Sequence, residues 1–185
     1  MILADMEIDG ALRKVIMQAP KNGFFYVIDR TSGEFISANN FVPMNWASHV
    51  DPDTGRPVEI QETNHKSQPA LTTPGPLGGH NWHPMSYSPK TGLVYIPAQE
   101  TLFIYSTDKE FEYNPRTWNT AQINEMTYLP KDPDELAMVD SATLGYLLAW
   151  DPIAQREVWR AQYKRPWSGG VLSTDGNLVF QGTSD

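Results

Sequence analysis

The chain has 185 residues, 40% of them hydrophobic, which suits one ordinary domain with a packed core and excludes wholesale disorder. Its formal charge of −8 argues against nucleic acid and against anionic membrane surfaces as partners, because both call for a basic face. The absence of cysteine excludes a disulfide, a thiolate zinc site and a covalent haem site within the chain.

Residues 1–7 lack the basic stretch and following apolar run of an export signal, and no apolar run approaches the roughly 20 residues that cross a bilayer. These residues define no membrane association. Short β-branched and aromatic runs then predict strands at 15–17 and 24–28, separated by Pro20 and by Asn22-Gly23, a hairpin signal. A third strand is expected at 34–37, and others at 93–97, 102–105, 146–150, 157–160 and 177–180. At the ends of the predicted strands or between them a turn pattern recurs, Asp followed by Ser/Thr-Gly: Asp29-Arg30-Thr31-Ser32-Gly33 and Asp51-Pro52-Asp53-Thr54-Gly55. Ser88-Pro89-Lys90-Thr91-Gly92 is a variant and Asp151-Pro152-Ile153-Ala154-Gln155 a degenerate copy. The Asp carboxylate can accept N–H groups of a tight turn, and Gly supplies the positive φ.

Polar, proline-bearing stretches at about 62–78 and 108–141 read as insertions, the second with a short helix near 133–139. Repeated hairpins without long helices predict an all-β fold, a partial β-propeller occupying residues 1–185. At about 40–50 residues per blade the chain supplies about three to four blades with loop insertions. Such a part-ring leaves two raw sheet edges.

Three segments carry a family resemblance. They are Gln18-Ala19-Pro20-Lys21-Asn22-Gly23 within residues 14–30, then Gly78-Gly79-His80-Asn81-Trp82-His83-Pro84. The third joins Leu148-Ala149-Trp150-Asp151-Pro152 and Glu157-Val158-Trp159 to Pro166-Trp167-Ser168-Gly169-Gly170-Val171. In this order they resemble the C-terminal part of the propeller domain of the pyrroloquinoline-quinone (PQQ) alcohol dehydrogenases, and the likeness covers nearly the whole chain. The resemblance implies PQQ as cofactor, a small-molecule alcohol as substrate, an electron acceptor such as a cytochrome c, and a periplasmic parent protein.

It also implies the site. Lys21 matches the cofactor lysine, whose ammonium would stabilise negative charge developing on a quinone oxygen. Asn81 offers a donor and an acceptor, Trp82 a flat apolar face with one N–H, and Val171 its main chain beside paired glycines. Trp150 and Trp159 match blade-docking tryptophans. His80 and His83 could share a metal by spacing alone, but the family places none there and no carboxylate partner is evident. No metal site is therefore expected.

The resemblance further implies a calcium ion held by a Glu, an Asn and an Asp, the Asp also serving as general base. By alignment these ligands fall before residue 1, so no catalytic residue is assigned within the chain. Asp5 and Asp9 match the strand and turn downstream of that base, not the base. The chain is accordingly expected to be a fragment cut at both ends, inactive alone, of an enzyme oxidising primary alcohols to aldehydes. The competing expectations are a non-catalytic propeller-type binding or assembly module, whose edges pair with a second copy, and a propeller of the sugar-quinoprotein or assembly-lipoprotein kind.

Overall fold

The computed structural model describes residues 1–123, 131–163 and 165–183. Residues 124–130 of the second expected insertion and the last two residues of the chain lie outside the described residues.

Strands β1 (Ile2–Ile8), β2 (Ala11–Gln18), β3 (Phe24–Asp29) and β4 (Phe35–Asn40) form an antiparallel meander in that order. Its first turn, Asp9-Gly10, has positive φ at both residues (52° and 75°), the twist that a two-residue hairpin loop requires. A two-stranded ribbon follows, β5 (Ala47–Val50) with β6 (Pro57–Glu59). Next come β7 (Ala70–Thr72), β8 (Ser86–Ser88), β9 (Leu93–Glu100) and β10 (Phe103–Tyr105). Helix α1 (Pro133–Ala142) leads to β11 (Leu144–Asp151) and β12 (Arg156–Tyr163). The described chain ends on β13 (Val171–Ser173) and β14 (Val179–Gln181). The second four-stranded sheet has the order β12-β11-β9-β8; β7 pairs with β10, and β13 with β14.

The continuous apolar runs have a simple cause: the central strands are buried on both faces. One face of each large sheet meets the other sheet. Val15 and Met17 of β2 and Phe25 and Val27 of β3 pack with Val94, Ile96 and Ala98 of β9 and Tyr146, Leu148 and Trp150 of β11. The Phe25 and Trp150 rings lie 5.9 Å apart across this seam. On the outer faces, Phe24 packs with Ala47 and Val50 of β5, and Tyr95, Leu147 and Ala149 pack with Val171 of β13. Each such fully buried Phe, Leu or Val contributes about 1.5–3 kcal/mol. Among the described residues the result is two four-stranded blades flanked by the β5-β6 and β13-β14 ribbons, with β7-β10 as a third two-stranded piece and no closed barrel. This is the partial-propeller architecture expected from the hairpin repeats.

The Asp turns work as their chemistry predicts. Asp29 Oδ1 accepts from the Thr31 N–H at 2.8 Å, the Thr31 hydroxyl at 2.5 Å and the Ser32 N–H at 3.2 Å. Asp51 Oδ1 accepts from the N–H groups of Asp53 and Thr54, and Asp151 Oδ1 from those of Ile153 and Ala154, all at 2.9 Å. Gly33 and Gly55 take positive φ, and Gln155 takes φ 52° in the copy that lacks glycine. The β3–β4 and β11–β12 hairpins also share a register shift just before the Asp, at Val27/Ile28 and Ala149/Trp150.

Helix α1 falls where expected, started by Asp132, whose carboxylate accepts from the N–H groups of Asp134 and Glu135. Strands β1, β5, β6, β7, β8 and β13 add to those expected. Five are three or four residues long, and β1 interleaves Asp5 and Glu7 with its apolar residues, so each lacks the dense apolar signal of a central strand. Asp5 pairs with Arg30 at 2.8 Å and Asp9 sits in the first turn, so both have structural work. Trp150 is buried in the seam, whereas Trp159 is half-exposed beside Tyr95 at 5.8 Å.

The Asp29 carboxyl is held well below the usual carboxylate range, first by the Thr31 hydroxyl, then by the Thr31 N–H and by Arg13 at 2.9 Å. Because the folded-state pKa lies below that of the unfolded chain, the associated stability is full above the ordinary value of about 3.9 and is lost as pH falls beneath it. An acid titration followed by tryptophan fluorescence should show the wild type losing more stability between roughly pH 5 and 2 than Asp29→Asn. Equal loss in both proteins would contradict this account.

Candidate functional site

Strand β2 ends at Gln18, and Ala19-Pro20-Lys21-Asn22-Gly23 carries the chain across to β3. Asn22 builds this crossing. Its Oδ1 accepts from the Phe24 N–H at 3.1 Å, its Nδ2 donates to the Tyr26 hydroxyl at 3.0 Å, and its carbonyl accepts from Trp46 Nε1 at 2.8 Å. Gly23 takes φ 94° to close the turn. Lys21 is thereby held at an exposed tip, with Nζ donating to the Pro76 carbonyl at 3.1 Å.

The Pro76–Asn81 segment folds against that tip. Gly79 N–H donates to the Lys21 carbonyl at 3.1 Å. Gly78 has φ 80°, and a Cβ there would lie 2.5 Å from Lys21 Cα, so only glycine permits the approach. Asn81 Nδ2 donates to the Leu77 carbonyl at 2.8 Å, and Asn81 Oδ1 accepts from the Trp82 N–H at 2.9 Å. One short turn thus brings Lys21 and Asn81 together. The Trp82 ring is 74% exposed, stacked on His83 with centroids 4.3 Å apart. The edge of His83 meets Trp167 at 4.8 Å.

His80 is 3% exposed, with Nδ1 2.6 Å from the Ala19 carbonyl and Nε2 2.7 Å from the His83 carbonyl. It braces the lysine crossing to the tryptophan segment, and neither ring nitrogen is left for a metal. Burial pushes its imidazole below the ordinary value, opposed by the two carbonyls. His83 is lowered by burial as well. Among the described residues no three His, Cys, Asp or Glu side chains are grouped to hold a metal ion.

Val171 opens β13 directly after the Gly169-Gly170 segment. Its N–H donates to the Pro84 carbonyl at 2.9 Å and its side chain is buried against Tyr95, Leu147 and Ala149. Sequence reasoning missed the bracing residues His80 and Gln99. Gln99 is a buried polar residue near the end of the apolar strand β9, with Nε2 3.1 Å from the Gly78 carbonyl and Oε1 3.1 Å from the Trp167 nitrogen. An uncharged polar residue following an apolar run within the strand was the available signal.

Gly78→Ala should cost about 2–4 kcal/mol, from overpacking against Lys21 and from a side chain at positive φ. Urea denaturation would measure this, and a loss below about 1 kcal/mol would contradict the close approach.

No family model matches the chain. Among curated proteins it is 50% identical to the quinohemoprotein alcohol dehydrogenase of Comamonas testosteroni, over 100% of this chain and 26% of that protein. It is 47% identical to the 1-butanol dehydrogenase (cytochrome c) of Thauera butanivorans, again over 100% of this chain and 26% of the relative. Among solved structures, the quinohemoprotein alcohol dehydrogenase ADHIIG of Pseudomonas putida HK5 superposes with a TM-score of 0.93 at 43% identity, covering 99% of this chain and 27% of that one. The chain therefore spans about a quarter of the length of the relatives it matches. Along its whole length it is similar to that quarter of these quinohemoprotein alcohol dehydrogenases.

Proposed function

We propose that this chain forms one wall of the PQQ site in an enzyme that oxidises primary alcohols to aldehydes. The observation that carries the reading is the convergence of Lys21 and Asn81 on one turn, with the exposed Trp82 next along the chain. These residues fit a planar, anionic ortho-quinone. Gly78 and Gly79 keep the backbone close, since a Cβ on either would meet a neighbour at 2.5 Å. Trp82, largely exposed and stacked on His83, offers a flat apolar face.

When bound, PQQ supplies the hydride acceptor that no side chain can provide. Lys21 would place a cation near the quinone oxygens; among the described residues its ammonium donates to the Pro76 carbonyl, and its other N–H groups would serve the quinone. Asn81 uses one N–H on Leu77 and keeps the other. His80 holds the lysine crossing and the tryptophan segment in register. The reading carries with it a calcium ion, a general base and an acceptor of the cytochrome c type in the parent enzyme, and a periplasmic location for that enzyme. None of these roles falls to the residues assembled here.

A chimera tests the reading. This chain would replace the matching quarter of the Comamonas testosteroni enzyme, which would then be supplied with PQQ and calcium. Alcohol oxidation should survive the exchange, and Lys21→Ala should lower kcat by about 10²–10³-fold, the effect of losing one preorganised charge stabiliser. A Lys21→Ala chimera with unchanged kcat would remove Lys21 from the site. The 185-residue chain alone should not reduce an artificial acceptor with ethanol, PQQ and calcium; turnover by it would show that the base lies within these residues.

A further inference from the structure

We propose that Gln99 is a positioning residue that fixes the two halves of this wall relative to each other, an inference that rests on the PQQ-site reading. Gln99 is the penultimate residue of strand β9, whose central residues are buried and mostly apolar, and is itself only 4% exposed. A buried amide is costly unless its groups are paired. Here they are paired with main-chain groups of the wall. The Gln99 N–H donates to the Gly79 carbonyl at 2.8 Å. Its Nε2 donates to the carbonyls of Gly78 at 3.1 Å and Leu77 at 3.3 Å. Its Oε1 accepts from the Trp167 N–H at 3.1 Å.

Both ends of this tie are informative. Leu77 also accepts from Asn81, and Gly78 lies against Lys21, so the Nε2 end fixes the turn on which those two residues converge. At the Oε1 end, Trp167 has φ 69°, a left-handed conformation that a bulky residue keeps only when its surroundings enforce it. The Gln99 bond and the His83 ring edge supply that enforcement. Trp167 opens the Gly169-Gly170 segment, and Gly170 is packed so closely on Pro84 that a Cβ would lie 2.6 Å from the proline ring. One amide therefore sets the spacing between the Lys21/Asn81 turn and the Trp167 segment. It does so with a donor on one side and an acceptor on the other, which no apolar or ionised side chain of similar size can match.

The test uses the 185-residue chain as wild type, Gln99→Leu, Gln99→Glu and Lys21→Ala, with two readouts. The first is amide hydrogen exchange without cofactor. Gln99→Leu should speed exchange at residues 77–81 and 165–170 while the β1–β4 sheet keeps its protection. The second is PQQ affinity from quenching of tryptophan fluorescence. Gln99→Leu should weaken it by about tenfold, the equivalent of one lost hydrogen bond. Gln99→Glu should show the same loss near neutral pH and regain affinity relative to wild type in acid, where the protonated carboxyl can again donate to Gly78. His80 and His83 face this region, each with its pKa held below the ordinary imidazole value by burial, and Lys21 lies across the turn. All three are common to both proteins, so the ratio of variant to wild type is the quantity read.

Wild-type affinity in Gln99→Leu, with Lys21→Ala still weakened, would overturn the role of Gln99 and leave the PQQ wall standing. Local loosening without loss of affinity would make Gln99 a structural tie only, which also overturns the proposal. A wild-type chain that shows no saturable quenching, or that binds no better than Lys21→Ala, would overturn the wall and the proposal together. Should Gln99→Leu speed exchange in every sheet, the acid recovery of Gln99→Glu decides the matter, and its absence overturns the proposal.

Discussion

Burial of the central strands on both faces is the constraint from which the rest follows. Phe24 faces one neighbouring layer and Phe25 the next; Leu147 and Leu148 divide in the same way. Strands used so completely for packing have no side of the sheet left for chemistry. What remains is their ends and the segments that join them. The three segments of the candidate site are such connections: the crossing from β2 to β3, the stretch before β8 and the stretch before β13.

Connections of this kind have no ladder of their own to satisfy their main-chain groups. Here side chains do it. Asn22 shapes the lysine crossing, His80 links that crossing to the carbonyl of His83, and Gln99 links residues 77–79 to Trp167. Glycines allow the segments to lie within van der Waals distance of each other. The site is thus rigid for a specific reason. It is a set of loops cross-tied by buried amide and imidazole groups, resting on the ends of sandwiched strands.

Much of the fold was legible in the sequence because its signals are local. Asp29, Asp51 and Asp151 announce their turns within five residues, Asp132 and Pro133 announce the helix, and the runs at Phe24 and Leu147 read as buried strands. The short outer strands were not legible, because Ser86-Tyr87-Ser88 and Pro57-Val58-Glu59 become strands only beside their partners. The site divides along the same line. Lys21, Asn81 and Trp82 stood out through a family pattern, and Lys21 and Asn81 bond to adjacent carbonyls of one turn. The pairing of Gln99 with Trp167 spans 68 residues and that of His80 with Ala19 spans 61, distances over which no local pattern reports. The local pattern is equally silent on the bond from the Val171 N–H to the Pro84 carbonyl.

The Asp-capped turn has a consequence for how such a chain can change over time. In each copy Oδ1 of the carboxylate draws its N–H groups from the next three residues, so the turn carries much of its own geometry. A gene segment encoding one such hairpin can be copied, or separated from the next by new sequence, and still fold to the same shape. The long polar stretch between β10 and β11, two strands of which the second pairs back onto β9 across more than forty intervening residues, is what such tolerance permits.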